Sequence, residues 1–443
     1  MQELLAGLDV GTSSVKVALV DAAGVEVAHS RRPTQWIRTP DGVEADAAAI
    51  LSASHEALEL AVNHVPDARI VAVGVASMAE AGVLVDRDGR VLAPVIAWHD
   101  RRDVAQLDDL VAQLGGRSFS QMTGLPVWTQ WSLTKHRWMV DHLPQVRTAA
   151  RRYAIAEWVV RGLGGNPGTE LSLASRTGWL GLRSKQLWPE AVEWSGATPS
   201  ILADVVPAGT PAGTIGVDHP VSQLRGAVLT VAGHDHQAAA VGVGATSDHA
   251  ELDSCGTAEA LVRTIPPDLT EAALDALTGA GVTVGWHVVA DRWSVLGATE
   301  GGLTLQTVMQ RLGVAREQMA ALDVEANGRG SSPTSIQVGA SGDEVVIAGS
   351  QEPADVWSAA IRTVTDQAHA LSETISRAAG PRGRLVVTGG WSNSAALMAA
   401  KRAAFGPVDR VAVTEAGARG AALMAGLAAG TYARPSDFPV AEG

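Results

Sequence analysis

The sequence predicts an α/β protein built from two like units, and three observations carry that prediction. Two strand–turn–strand segments of the same plan lie about half a chain apart. Short apolar strands alternate with Ala-rich stretches of helical spacing. The chain, at 443 residues, is long enough for two hydrophobic cores.

Leu4 to Val10 and Val15 to Val20 are rich in Leu and Val and read as two strands of a hairpin. The turn Gly11-Thr12-Ser13-Ser14 carries a glycine and three hydroxyls, with Asp9 at its mouth and Lys16 just beyond. Glycine lets a backbone approach a ligand closely, and free N–H groups beside hydroxyls suit phosphate oxygens. Asp9 suits Mg²⁺ held through water. Taken alone, the same residues are equally an ordinary surface turn. Val25 to Ser30 reads as a third strand, followed by a Pro- and Thr-containing loop through Gly42. Asp46 to Val62 has helical spacing, and Ile70 to Ala76 reads as a buried strand ending in Ser77-Met78-Ala79-Glu80. Three strands, a helix and a strand make a ribonuclease-H-like pattern. Val83 to Val85 with Asp88-Gly89 forms a turn leading to Ala93–Trp98, and residues 100–200 are mainly helical, rich in Trp, and expected to cover an active site.

Val228 to Ala232 reads as a strand opening the second half, followed by His234-Asp235-His236-Gln237 and an Ala-rich helix. This places the division near residue 230, with units 1–230 and 231–443. Glu251 to Val262 then repeats the first hairpin: short strand, acid, Gly256-Thr257 turn, apolar strand. The second copy turns the first from a turn into half of a pair, with a polyphosphate between. Helical spacing follows from 299 to 322 and from 353 to 379; 324–352 is Gly- and Ser-rich loop with short strands. The strand Arg384–Thr388 stops at Gly389-Gly390, a helix opens near Ser394, and another spans Ala416 to Ala429.

Composition excludes several classes. The hydrophobic share of 46% against 18% charged residues fits a globular chain, and no apolar run reaches membrane-span length. Net charge of −13 argues against broad nucleic-acid contact. The single cysteine, Cys255, permits no internal disulfide and fits a reducing compartment, and Glu3 without a basic n-region argues against a secretory signal; cytoplasmic location is expected. Neither a GxxxxGK[ST] loop nor GxGxxG is present, so phosphate binding falls to the hairpins.

Asp235, between a strand and a helix, is placed to act as a general base toward a substrate hydroxyl, or simply to cap the helix. The flanking His234 and His236 form a His-x-His pair with no third ligand at motif spacing. The double glycine 389–390 reads as a tight turn or as a strand-to-helix junction whose free N–H groups meet a nucleotide.

From Leu5 to about Thr431 the chain resembles the FGGY family of carbohydrate kinases, which has the actin-like ATPase fold. The carrying segments are Asp9–Lys16, Ser77–Glu80, Trp98-His99-Asp100-Arg101-Arg102, Thr123–Pro126 with Ser132–Lys135, His234–Ala239, Gly256-Thr257, Gly301-Gly302, Gly389-Gly390 and Glu415–Ala422. The resemblance implies two ribonuclease-H-like domains flanking a cleft. It also implies ATP and Mg²⁺ as cofactors and phosphorylation of a small sugar, ketose or polyol. Asp235 would be the base and Asp9 the metal-side acid. Gly11, Thr12, Ser13, Ser14, Lys16, Gly256, Thr257, Gly301, Gly302, Gly389, Gly390, Trp391 and Asn393 would lie on the nucleotide, and Glu80, Trp98, Asp100, Arg101, Gln130 and His236 around the acceptor. Ala79-Glu80 departs from the Arg-Glu of glycerol kinases and the Met-His of xylulose kinases, and Gln130 falls where glycerol kinases have Tyr. His236 replaces the usual Gln or Asn, and Trp391 a small residue. These departures disfavour glycerol and suggest a four- to six-carbon acceptor. A non-catalytic sugar or nucleotide sensor on the same fold, and an ATPase without a sugar acceptor, are the rival readings. The oligomeric state is not fixed by the sequence; a homodimer is compatible with it.

Overall fold

The computed structural model describes residues 2–256, 258–328, 333–339, 342 and 344–441. Two six-stranded sheets organise it. In the first, Glu26–Pro33, Ser14–Val20 and Gln2–Val10 run antiparallel, and Ala68–Ser77 and Val228–His234 continue in parallel, with Pro211–Thr214 at the edge. In the second, Trp293–Thr299, Glu259–Ile265 and Glu251–Cys255 run antiparallel, and Leu385–Thr388 and Asp409–Arg410 continue in parallel, with Thr283–Trp286 outside Trp293–Thr299. The five central strands follow one plan in both sheets, so the repeat visible in the two hairpins extends to whole units. Both central strands are covered on two faces, which is why they read as unbroken apolar runs rather than alternating ones.

The strand Val228–His234 corrects the expected division. It pairs with Ala68–Ser77 and completes the first sheet instead of opening the second. A boundary at 230/231 therefore cuts a strand, and the sheets change over between His234 and Glu251. The loop expected through Gly42 also differs: Ile37–Thr39 and Gly42–Ala45 form a hairpin around Asp41 and pair onward with Val95–Ile96.

The helix Ala416–Ala428 follows the second sheet in sequence yet lies against the first. A Cβ on Gly7 would meet the Ala418 carbonyl at 1.9 Å, and one on Gly420 would meet the Ala238 carbonyl at 1.7 Å. The close backbone approach of Ala416–Ala428 to the strand Gln2–Val10 and to the helix Asp235–Gly242 requires these glycines, which accounts for the Ala/Gly-rich composition. The segment 100–200 is helical as expected, with Trp131, Trp179, Trp188 and Trp194 in a core of their own. It docks on the second unit through the Gly124 carbonyl, which accepts from the Val284 amide at 2.8 Å, and through an Arg117–Asp275 ion pair at 2.7 Å. Among the described residues no helix is long and apolar enough to cross a membrane.

Candidate active site

Three parallel strands of the first sheet deliver their C-terminal ends to one place. Asp9 and Gly233 both stand level with Ala76, and His234 is level with Ser77. Asp9, the Ser77–Glu80 loop and Asp235 therefore leave neighbouring strands together, where open α/β sheets bind ligands. Asp235 is the first residue of its helix, with His234 at the cap position, so capping is not its role. Its Oδ1 accepts from the His236 amide at 2.7 Å and lies 3.3 Å from His234 Nε2. Burial pushes the Asp235 carboxyl up, but His236, His234, the His236 amide and Arg176 outweigh it and hold the acid below its ordinary range. The same burial drives His234 well below its ordinary range, against the pull of Asp235. An ionised carboxylate at a helix start is a competent proton acceptor.

The first hairpin tip is held from three directions. The Gly11 amide donates to the Ser14 carbonyl at 3.1 Å, and the Thr34 amide to the Ser13 carbonyl at 3.1 Å. Trp36 Nε1 donates to the Thr12 carbonyl at 2.7 Å, and Trp98 Nε1 to Thr12 Oγ1 at 2.8 Å. Thr12 Oγ1 accepts from Trp98, so its own proton is not used in that contact. Trp98, expected on the acceptor, is thus tied to the phosphate-type turn. Lys16 reaches Glu415 at 3.1 Å and Asp9 at 3.8 Å. Burial above all raises Asp9 to about 7; Lys16 opposes that, and Asp235 and Glu415 add to it. Asp9 Oδ1 is buried with no hydrogen-bond partner.

In the second hairpin the Gly256 amide donates to the Ser254 carbonyl at 3.0 Å; Thr257 lies outside the described residues. Beneath the turn, fully buried Lys401 Nζ donates to Asp253 Oδ2 and Glu259 Oε1, each at 2.5 Å. Glu259 Oε2 accepts from Thr299 Oγ1 at 2.8 Å, next to Gly301 and Gly302 at the start of the helix Gly301–Leu312. Asp253, Cys255 and Glu259 are the one grouping of three candidate metal ligands among the described residues, and Lys401 already fills it with positive charge. Gly389 turns at φ 96° from Leu385–Thr388 into the short helix Gly390–Asn393. Trp391 is buried there under Arg316, whose guanidinium carbon sits 3.6 Å from the ring centroid, and Asn393 Oδ1 accepts from Arg410 at 2.6 Å.

Among the residues expected around the acceptor, Glu80 is buried, and its Oε1 accepts from Gln130 Nε2 at 2.9 Å and Arg176 Nε at 2.7 Å, with Arg176 Nη2 at 2.6 Å. Glu80 and Gln130 are together, as expected, but the sequence reading missed Arg176. Asp100 has a different task from the one expected. Its oxygens take the Val43 and Arg102 amides and two Arg102 side-chain nitrogens, which hold its carboxyl below the ordinary range despite burial. Gly42, at φ 147°, makes room for it: a Cβ there would lie 1.9 Å from Asp100 Oδ2. Asp100 is a structural latch between the hairpin and Arg102, with no acceptor site left for a sugar. Arg101 is exposed, and the ion pairs belong to Arg102.

A profile of the FGGY family of carbohydrate kinases, N-terminal domain, matches residues 4–242. The chain belongs to the FGGY family. Among curated relatives, a xylulose kinase of Streptomyces rubiginosus is 27% identical over 319 residues, which are 71% of this chain and 64% of that protein. A glycerol kinase of Janthinobacterium sp. is 30% identical over 342 residues, 74% of this chain and 66% of the relative. The matches thus span just under two thirds of the relatives' lengths. Among solved structures, a xyloylose kinase from Brucella ovis superposes with a TM-score of 0.85 at 20% identity, covering 99% of this chain and 93% of that one. Plasmodium falciparum glycerol kinase with ADP gives 0.87 at 16% identity, covering 100% and 93%. These two structures share the fold.

For this FGGY protein, the residues beside Asp9 fit a divalent cation. A buried carboxylate oxygen without a partner, in an acid raised by burial and by two neighbouring acids, is the condition a cation relieves. Lys401 and Arg176 were not identified from the sequence because each meets its carboxylates only through the fold, 148 and 142 residues away for Lys401 and 96 for Arg176. No local pattern carries such contacts.

Proposed function

We propose that this protein is an ATP- and Mg²⁺-dependent kinase that phosphorylates a hydroxyl of a small sugar, ketose or polyol of about four to six carbons. The observation that carries this reading is the placement of Asp235 just past the end of Val228–His234, two strands from Asp9 in the same sheet. Asp235 takes the proton from the attacking hydroxyl as it becomes a nucleophile. Glu80, Gln130 and His236 orient that hydroxyl. Thr12, whose hydroxyl accepts from Trp98, and the backbone of Gly11–Ser14 meet phosphate oxygens from one unit, and Gly256–Thr257 from the other. Gly301, Gly302 and the Gly389–Asn393 turn lie on the adenosine side. Asp9 would hold Mg²⁺, which when bound would supply neutralisation of phosphate charge. Family membership and the repeated hairpins support the assignment. The acceptor class rests on the residues around Glu80.

The test is acceptor-dependent ADP release measured over C3–C7 polyols, ketoses and aldoses. At least one acceptor should raise ADP release well above the sugar-free rate and yield a phosphorylated product by mass spectrometry. Nucleotide or sugar binding with no turnover on any acceptor would point to a sensor; sugar-independent hydrolysis would point to a plain ATPase.

A further inference from the structure

The strand Val228–His234 stops one residue short of Asp235, and part of what fixes that end comes from a distant segment. The His234 amide donates to Ser172 Oγ at 3.0 Å, and Ser172 Oγ donates in turn to Glu170 Oε2 at 2.6 Å. A serine has one hydroxyl proton, so giving it to Glu170 turns the oxygen lone pairs to the His234 amide. Glu170 is itself buried and bound. Its oxygens accept the Ser172 and Leu173 amides, each at 2.9 Å, and its own amide donates to buried Glu157 at 2.9 Å. The approach is close: at Gly233, with φ 92°, a Cβ would lie 2.6 Å from Ser172 Oγ and 3.1 Å from Glu170 Oε2.

The second unit holds the other side of the base. Gln237 Oε1 accepts from the Val288 amide at 3.0 Å, and Val288 lies in the connection between Thr283–Trp286 and Trp293–Thr299. The Trp286 amide donates to Ser175 Oγ at 3.2 Å, and Ser175 Oγ donates to the Ser172 carbonyl at 2.9 Å. One edge of the second sheet thus touches both the helix of Asp235 and the segment that carries Ser172.

We propose that Ser172, oriented by Glu170, is a positioning residue for Asp235, fixing the strand-to-helix turn on which the base stands. The inference rests on the kinase reading above, with Asp235 as the base. The close partners of Asp235 among the described residues are the His236 amide and His234 Nε2, both chain neighbours that move with it. Its place in the fold is therefore set through His234 and Gln237: by the pairing of His234 with Ser77, by Ser172 and by Val288. Ser172→Ala removes one of these three ties and leaves the His234 amide and a Glu170 oxygen short of a partner. Misplacing a reacting group by about 1 Å can cost about a hundredfold in rate.

The experiment introduces Ser172→Ala into the full-length wild type and into Asp235→Asn. Rates are taken on whichever of glycerol, xylitol, D-xylulose and D-gluconate the wild type uses best, per ADP-binding site titrated on the same preparation, so misfolded protein is not counted. In the wild type, Ser172→Ala should lower kcat by about ten- to a hundredfold and leave KM for ATP within about twofold. In Asp235→Asn, where no base remains to be placed, it should change the residual rate by less than about twofold. Glu170→Gln keeps the shape but exchanges an acceptor for a donor, and should show the same pattern with a smaller loss. Equal losses in both backgrounds mean that Ser172 does not act through the base and overturn the proposal, as does an undiminished kcat in Ser172→Ala; the kinase reading survives either result. Near-normal turnover of Asp235→Asn alone, or a wild type that phosphorylates none of the four, overturns that reading and this proposal with it.

Discussion

The indole N–H of Trp98 donates to the hydroxyl of Thr12 at 2.8 Å, across 86 residues of sequence. Trp98 closes the segment after Val95–Ile96, and Thr12 sits at the tip of the first hairpin, so that segment fixes a hydroxyl of the first Gly-Thr turn. His99 packs edge-on against Trp98 at 5.3 Å and steadies the indole.

Trp98→Phe should therefore behave as a nucleotide-side variant. It keeps most of the ring but frees the Thr12 hydroxyl to rotate, removing one oriented donor of the kind worth about 0.5–1.5 kcal/mol. We expect KM for ATP to rise by about two- to tenfold, and Thr12→Val to do at least as much, with sugar affinity in the absence of nucleotide unchanged. Calorimetry showing lost sugar binding and intact ATP binding in Trp98→Phe would place the indole on the acceptor instead.

Asp235→Asn should bind ATP and sugar nearly as the wild type does and lose about 10²–10⁴ in kcat, because shape survives and the proton acceptor does not. The carboxyl of Asp235 lies below its ordinary range, so it does not set the neutral limb of the pH–rate profile. Near-normal turnover of the amide would remove Asp235 as the base.

Asp9 is expected to show its raised pKa in metal dependence and in stability. In the metal-free fold it titrates at about 7, against an ordinary value near 4 in the unfolded chain. A raised acid costs stability as pH climbs from the unfolded value, and the cost levels off above about 7. Asp9→Asn should thus match the wild type near pH 4 and be more stable by up to about 4 kcal/mol at pH 8 with EDTA. Mg²⁺ should narrow that difference by stabilising only the wild type, and its apparent affinity should fall as pH drops through about 7, where a proton competes for the carboxylate. Thermal melts at both pH values, with and without Mg²⁺, measure each part. An asparagine variant less stable than wild type at pH 8 without metal would refute the assignment.

What could be read from the sequence follows the range of the interactions. Both hairpins, the helix Pro353–Ala379 and the start of the helix at Asp235 were legible, since apolar runs, turn residues and helical spacing are local signals. The strand Val228–His234 was legible as a strand but not as a member of the first sheet. Its apolar residues would suit either sheet, and the choice is made by parallel pairing with Ala68–Ser77 some 150 residues earlier. Asp100 stood in the right motif, yet its oxygens go to Arg102 and Val43, because the hairpin around Gly42 is what brings Val43 there. Arg176 and Lys401 were invisible for the same reason.

Lys401 tests the second hairpin. Its ammonium is fully buried between Asp253 and Glu259, which oppose burial and keep it charged. Glu259 in turn holds Thr299 at the entry to the helix Gly301–Leu312. Lys401→Met preserves length and volume but strands two buried carboxylates, and breaking one side of a buried ion pair costs about 3–5 kcal/mol. We expect a loss of that size in denaturant unfolding. Adding Asp253→Asn and Glu259→Gln to Lys401→Met removes the stranded charges and should recover much of the stability, since neutral replacement of a buried cluster is often tolerated. Nucleotide affinity should not recover in step, because the amide at 259 keeps Thr299 company but no longer fixes the turn above it through Lys401. If the triple variant is no more stable than Lys401→Met alone, charge is not what Lys401 balances. If it regains wild-type ATP affinity, Lys401 does not position the second turn.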